Sequence, residues 1–245
     1  MRDTPISSPR EFNTTHWSLV DAAQSDEASR TRAGKALEEL CRAYWYPLYA
    51  FVRNRGYSPA DAQDLTQSFF ARFIETGGFA SADRERGRFR TYLLGAMKHF
   101  LANEWHRART QKRGGGLNFL EWDALEPEAR YALEPAQSSD PDMNYDREWA
   151  LEMIARAKKK LRQESEADGK GDVFEMLKKS LTGDEPSRSE TAAQLGMSES
   201  ALKAAVHRLR QRYRELLRGE IAETVSTRTE IDDEMRYLVE ILRRR

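Results

Sequence analysis

Polar and basic side chains recur at helical spacing near the C-terminus of the chain. Ser200, Lys203, His207, Arg210 and Arg214 fall on one side of a predicted helix, because residues three, four and seven positions apart share a helix face. A hydroxyl group and four basic side chains on such a face are suited to contacting DNA bases and phosphates. The spacing therefore predicts a nucleic-acid interface, with an ordinary solvated basic helix as the alternative.

Two predicted helices position this face. Ser187, followed three residues later by Glu190, has the form of a capping box that begins the first helix. Gly196 ends that helix and Ser198 is placed to cap the second. The remaining signals are a small residue for the helix crossing and an apolar stripe on the second helix, formed by Ala192 and by Leu202, Val206, Leu209, Tyr213 and Leu216. This order of signals favours a helix-turn-helix over residues 187–218 rather than a plain two-helix hairpin.

The sequence contains no arrangement typical of an enzyme. The four histidines are spread over the chain, and His99 and His106 are two helical turns apart, too far to bind one ion. Cys41 is the only cysteine and lies on an apolar stripe, which excludes an internal disulfide and a cysteine-cluster zinc site. We therefore expect a protein that is not an enzyme and that needs no metal or cofactor.

Charge is balanced over the whole chain but not along it. Lysine plus arginine and aspartate plus glutamate each number 40. The stretch 84–113 is strongly basic, residues 121–146 are acidic, and a second basic block covers 203–218. The chain has no apolar run long enough for a bilayer, and its N-terminus lacks the apolar stretch of a signal peptide. We expect a soluble cytoplasmic protein with two anion-binding surfaces.

Helical periodicity extends over the N-terminal half. Ser58 and Pro59 are the N-cap and first residue of a predicted helix that ends at Gly77. Pro47 should kink or divide the helix before it. A further helix is expected over about 89–109, and no segment has the alternation of a strand.

The motifs together resemble a known family. ETAAQLGMSESALK at 190–203, followed by HRLR at 207–210, is similar to the C-terminal domain of sigma-70 family sigma factors of the extracytoplasmic-function (ECF) type. YWYPLY at 44–49 and DAQDLTQSFF at 61–70 resemble the polymerase-binding part of sigma domain 2. FRTYL at 89–93 and the basic helix after it resemble the promoter-melting segment.

This resemblance implies a sigma factor that binds core RNA polymerase and directs promoter-specific initiation. The implied polymerase-binding residues are Asp61, Asp64 and Gln67. The residues implied to contact the −10 element are Lys98, His99, Asn103 and Arg107. The residues implied to contact the −35 element are Ser200, Lys203, His207, Arg208 and Arg210. Family members usually have aspartate where Asn103 stands.

The expected architecture is all-α, with two small helical domains joined by an acidic flexible linker. The expected parts are an N-terminal extension (1–30), sigma domain 2 (31–113), the linker (114–146), sigma domain 4 (147–224) and a C-terminal helical extension (225–245). That extension is expected either to pack against the domains or to regulate them. The alternative function is a helix-turn-helix regulator that binds DNA without acting as a sigma subunit.

The expected partners are core RNA polymerase and promoter DNA, with no membrane. An anti-sigma factor and a regulatory kinase are further candidates. Phosphorylation of Thr66 or Ser68, which adjoin the docking carboxylates, would add negative charge to that surface.

Overall fold

The protein is helical wherever its structure is described. A computed structural model describes residues 27–78, 88–110, 127–133, 140–181, 188–225 and 227–244. The helices in these ranges are α1 (Glu27–Asn54), α2 (Pro59–Glu75), α3 (Phe89–Thr110), α4 (Pro127–Leu133), α5 (Pro141–Ala167), α6 (Gly171–Leu177), α7 (Arg188–Gln194), α8 (Glu199–Ala222) and α9 (Arg228–Arg243), with a 3-10 turn at Lys178–Leu181. These residues form no strand, which confirms the all-α prediction. None of these helices is long and apolar enough to cross a membrane.

Helix α1 continues through Pro47. Of the two predicted effects of this proline, a kink or a division of the helix, the division is therefore wrong. Pro47 lacks an N–H group and removes one backbone hydrogen bond, but the residues around it are buried in the core. Leu48 and Phe51 are completely buried, so packing of this turn against neighbouring helices offsets the lost bond.

Helix α2 begins and ends as its sequence predicts. The Ser58 hydroxyl accepts a hydrogen bond from the backbone N–H of Asp61 at 3.2 Å, and Pro59 is the first helical residue. Gly77 has a φ of +65°, a left-handed conformation that favours glycine. A side chain at Gly78 would meet the ring of Phe73 at 2.6 Å, so this turn also needs its second glycine.

One apolar core joins both halves of the chain. It draws buried side chains from α1, α2, α3, α5, α8 and α9. Helix α5 lies at its centre, where Tyr145, Trp149 and Ala150 are completely buried and where α5 packs on α1 and α8. The core therefore crosses the predicted boundaries between the domains.

The segment predicted as the linker, 114–146, contains two helical stretches, α4 and the first turn of α5. Pro127 and Pro141 suggested irregular structure, but each is the first residue of a helix, where proline is well tolerated. Glu128 attaches α4 to α1 by accepting hydrogen bonds from Arg53 at 2.8 and 2.9 Å and from the Tyr49 hydroxyl at 2.6 Å. Residues 114–126 and 134–139 of the predicted linker, and residues 1–26 of the predicted N-terminal extension, lie outside the described residues.

Candidate nucleic-acid interface

The helix-turn-helix consists of α7, a four-residue turn and α8. Gly196 has a φ of +61°, its N–H donates to the Ala193 carbonyl at 3.1 Å, and the Met197 N–H donates to the Ala192 carbonyl at 2.9 Å. This pair of bonds ends α7 in a Schellman motif. The Ser198 hydroxyl then accepts from the backbone N–H of Ala201 at 3.2 Å and caps α8. The predicted roles of Gly196 and Ser198 are confirmed, whereas Ser187 lies outside the described residues.

A small apolar cluster holds α7 and α8 together. Leu177, Ala192 and Leu202 are its buried members, and Val173, Leu195, Val206 and Leu209 pack around them. Ala192 is 3% exposed, so the predicted small residue lies in the contact between the helices. The C-terminal half of α8 leaves this cluster and enters the large core through Leu217 and Ile221.

Four of the five predicted −35 residues are exposed on α8. They are Ser200, Lys203, His207 and Arg208, and Arg214 is exposed on the same helix. The Ser200 hydroxyl lies 3.0 Å from that of Ser198 at the start of the helix. A basic face with its polar N-terminal end exposed is suited to entering the major groove.

Arg210 differs from the other four. Its Nε and Nη2 atoms donate to the Ser180 carbonyl at 3.0 and 2.8 Å. Its guanidinium therefore binds α8 to the 3-10 turn instead of extending from the exposed face. Helical spacing did not predict this contact, because spacing along a helix gives a direction but not the neighbours within reach of a long side chain. DNA contact by Arg210 stays a prediction.

The predicted −10 residues lie on α3. His99 is exposed, and the Asn103 amide nitrogen lies 3.2 Å from His99 Nδ1. Lys98 pairs with Asp142 in the first turn of α5. Trp105 is 52% exposed on the same helix, although an aromatic residue at helical spacing is usually buried. The side chain of Arg107 is outside the described part of the structure.

A buried ion-pair network lies at the start of α3, and sequence reasoning did not find it. The Arg90 side chain is 5% exposed, and its Nε donates to Glu234 of α9 at 3.0 Å. Arg90 also pairs with Asp146 of α5. Its guanidinium carbon lies 4.1 Å from the ring centroid of Tyr237, within the range of a cation–π contact. Burial alone would lower the pKa of Arg90, but Glu234 and Asp146 outweigh burial and raise it.

A second network joins α1, α5 and α8. Arg156 of α5 donates to Glu220 of α8 at 2.8 Å and to Glu39 of α1 at 2.7 Å. The Glu220 side chain is 3% exposed and also pairs with Lys160. Opposite charges that are buried together satisfy each other, whereas removing one partner leaves an uncompensated charge. The two predicted DNA-binding helices, α3 and α8, are therefore tied to the same body.

The predicted polymerase-binding residues lie on α2. Asp61 and Asp64 are exposed and Gln67 is half-buried, while Phe69 points into the core. Thr66 is completely buried and its hydroxyl donates to the Ala62 carbonyl at 2.7 Å. The hypothesis of a phosphorylation switch at Thr66 is therefore wrong for the folded protein, since a kinase needs an accessible hydroxyl. Of the two predicted phosphorylation sites, only Ser68 is exposed.

Among the described residues, no group of three or more histidine, cysteine, aspartate and glutamate side chains could hold a metal ion. The family model for ECF sigma factors matches residues 29–219. The match covers more than three quarters of the chain, includes α2, α3 and α7, and ends before α9 begins. Comparison with curated proteins and with solved structures gives no match.

Proposed function

Because the chain belongs to the ECF sigma factor family, whose members act with RNA polymerase in transcription and are not enzymes, we propose that it binds core RNA polymerase and directs promoter-specific initiation. The observation that carries this proposal is the order of three surfaces along one family match: the polar face of α2, the basic helix α3 and the helix-turn-helix of α7 and α8. Such a protein acts on chromosomal DNA in the cytoplasm.

Helix α2 is the proposed polymerase-docking element. The Asp61 and Asp64 side chains are exposed one turn apart, and Gln67 follows at the same spacing. Because Phe69 and Phe73 anchor the opposite side in the core, the carboxylates are held on a rigid helix. Exposed acidic groups held in this way can pair with cationic side chains of a partner.

Helices α3 and α8 are the proposed DNA-binding elements. We assign −10 recognition and melting to Lys98, His99, Asn103 and Arg107, with α3 inside sigma domain 2 (31–113). We assign −35 recognition to Ser200, Lys203, His207 and Arg208, within sigma domain 4 (147–224). Phosphate contacts from the basic residues would supply affinity, and the residues at the N-terminal end of α8 would read base edges.

The proposal is tested by transcription in vitro. Purified core RNA polymerase and a library of genomic fragments are incubated with and without the protein, and the 5′ ends of the transcripts are mapped. We expect new, specific start sites that require both the protein and core enzyme. Specific DNA binding without core-dependent initiation would contradict the proposal and favour a helix-turn-helix regulator.

A variant pair tests the docking surface. The double variant Asp61→Asn, Asp64→Asn should reduce binding to core RNA polymerase at least tenfold, because it removes both exposed carboxylates. Glu75→Gln, at the exposed C-terminal end of the same helix, is the matched control and should bind as the parent does. Equal binding by all three proteins would remove α2 from the proposed interface.

A further inference from the structure

Helix α9 lies beyond the segment that the family model matches, yet it is part of the core. Ile231, Leu238 and Ile241 are at most 7% exposed. Thr227 and Glu230 form a capping box that begins the helix. The sequence left open whether this extension packs or regulates, and its apolar face is packed against α5 and α8.

The charged contacts of α9 reach both proposed DNA-binding helices. The buried Glu234 pairs with Arg90 at 3.0 Å and with Arg88 at 2.6 Å, at the start of α3. On the other side, Asp232 pairs with Arg218 of α8 at 2.6 Å. Because Asp232 and Glu234 lie within one turn of α9 and point to different sides, this helix contacts both the proposed −10 recognition helix and the proposed −35 recognition helix.

This connection conflicts with the geometry of a promoter. A compact body of about 180 residues, the number that the structure describes, has a radius of gyration of about 16 Å and measures about 40 Å across. Elements named −10 and −35 lie about 25 base pairs apart, which is about 85 Å of straight duplex. A protein in which α3 and α8 share one core cannot contact both elements at once.

We propose that α9 is a C-terminal latch (residues 228–243) that holds the free protein closed and is released when the protein engages core polymerase and promoter DNA. The inference rests on the proposed function. In the closed form Glu234 holds Arg90 and Arg88, and Asp142 of α5 holds Lys98. Carboxylates thus occupy cations of α3 that DNA phosphates would otherwise attract. Release of α9 frees the cations at the start of α3 and removes the Asp232–Arg218 ion pair from α8. The packing of α5 on α1 and α8 must then also open before α3 and α8 can separate.

Hydrogen exchange measured by mass spectrometry tests the release directly. Backbone amides of residues 228–243 are compared in the free full-length protein and in its complex with core RNA polymerase on a fragment that supports initiation. We expect at least tenfold faster exchange of these amides in the complex. An initiating complex in which α9 exchanges as slowly as in the free protein would overturn the latch while leaving the proposed function intact.

A variant pair tests the latch without polymerase. Glu234→Gln removes the buried charge from α9, and Asp233→Asn removes the neighbouring carboxylate that pairs with the 78%-exposed Arg236. Both variants lose one negative charge, so long-range attraction to DNA changes equally. We expect Glu234→Gln to exchange faster over α9 and to bind a mixed-sequence 40-base-pair duplex at least threefold more tightly than Asp233→Asn does, with circular dichroism confirming that both are folded.

Each outcome of the second test has one meaning. Equal exchange and equal DNA affinity in the two variants would overturn the latch, whatever the polymerase experiments give. A third outcome is faster exchange and tighter DNA binding in Glu234→Gln, in a protein that never initiates transcription with core enzyme. That result would support a latch that limits DNA binding and would refute the sigma-factor proposal.

Discussion

Arg210 and Lys203 lie on the same helix but differ in their contacts. Lys203 is exposed on α8, whereas Arg210 donates two hydrogen bonds to the Ser180 carbonyl. We expect Lys203→Met to remove a phosphate contact and Arg210→Met to remove a support of the helix. The two substitutions each delete one positive charge, so their comparison separates the roles.

The expected magnitudes follow from this difference. Each phosphate contact contributes about 0.9 to the slope of log affinity against log salt concentration, so Lys203→Met should lower that slope by about 0.9. Arg210→Met should leave the slope unchanged. It should weaken binding roughly tenfold, because two hydrogen bonds from a charged but half-exposed side chain stabilise the position of α8 by about 1.5 kcal/mol.

The assay is fluorescence anisotropy of a labelled promoter duplex titrated with the polymerase-bound protein between about 50 and 200 mM salt. Arg214→Met, which alters a second exposed residue of α8, should behave as Lys203→Met does. If Arg210→Met lowers the slope by the same amount as Lys203→Met, Arg210 contacts DNA in the complex and the reasoning from its Ser180 contact is refuted.

Three further predictions concern stability and reactivity. Burial, with a smaller contribution from Glu38, raises the pKa of Cys41 to about 12. At about pH 8 its thiol should therefore react with iodoacetamide more than a hundredfold more slowly in the folded protein than in the urea-unfolded protein. Equal rates would contradict this prediction. The Arg53 guanidinium lowers the pKa of Glu128, so Glu128 stabilises the fold above its unfolded pKa and loses that effect as pH falls through the folded value. The difference in unfolding free energy between the parent and Glu128→Gln should therefore decrease as the pH is lowered from neutral into the acid range. A pH-independent difference would refute this prediction. Gly196→Ala should lower the free energy of unfolding by about 1 kcal/mol in chemical denaturation, because the φ of this residue is +61°. Gly219→Ala, in open space within α8, should raise it by up to about 1 kcal/mol. Changes of the same sign in both variants would show that φ does not decide the effect.

Local signals in the sequence predicted local structure well. The cap at Ser58, the turn at Gly196 and the cap at Ser198 are each determined by residues within a few positions. The hydrogen bonds that satisfy them close inside the same turn of chain. The Thr227 and Glu230 capping box of α9 has the same pattern, so the first residue of this helix could also have been predicted from the sequence.

Contacts between distant residues could not be predicted in this way. Arg90 and Glu234 are 144 positions apart, and nothing in their local sequence marks either charge as buried. The Ser180 contact of Arg210 was not predicted for a related reason, since helical spacing does not reveal that this carbonyl lies within reach. The prolines of the predicted linker are ambiguous by themselves, because proline both breaks a helix interior and suits its first turn. Tertiary packing decided each case.

The continuity of α8 has a practical consequence for anyone who transplants its DNA specificity. Its 24 residues form a rod of about 36 Å, with one end packed in the helix-turn-helix and the other, through Leu217 and Ile221, in the large core. A fragment cut out around the helix-turn-helix would expose those leucine and isoleucine side chains and lose the Glu220 partners on α5. Chimaeras should therefore exchange only the exposed residues between Ser200 and Arg214, and leave the rest of the helix with its host.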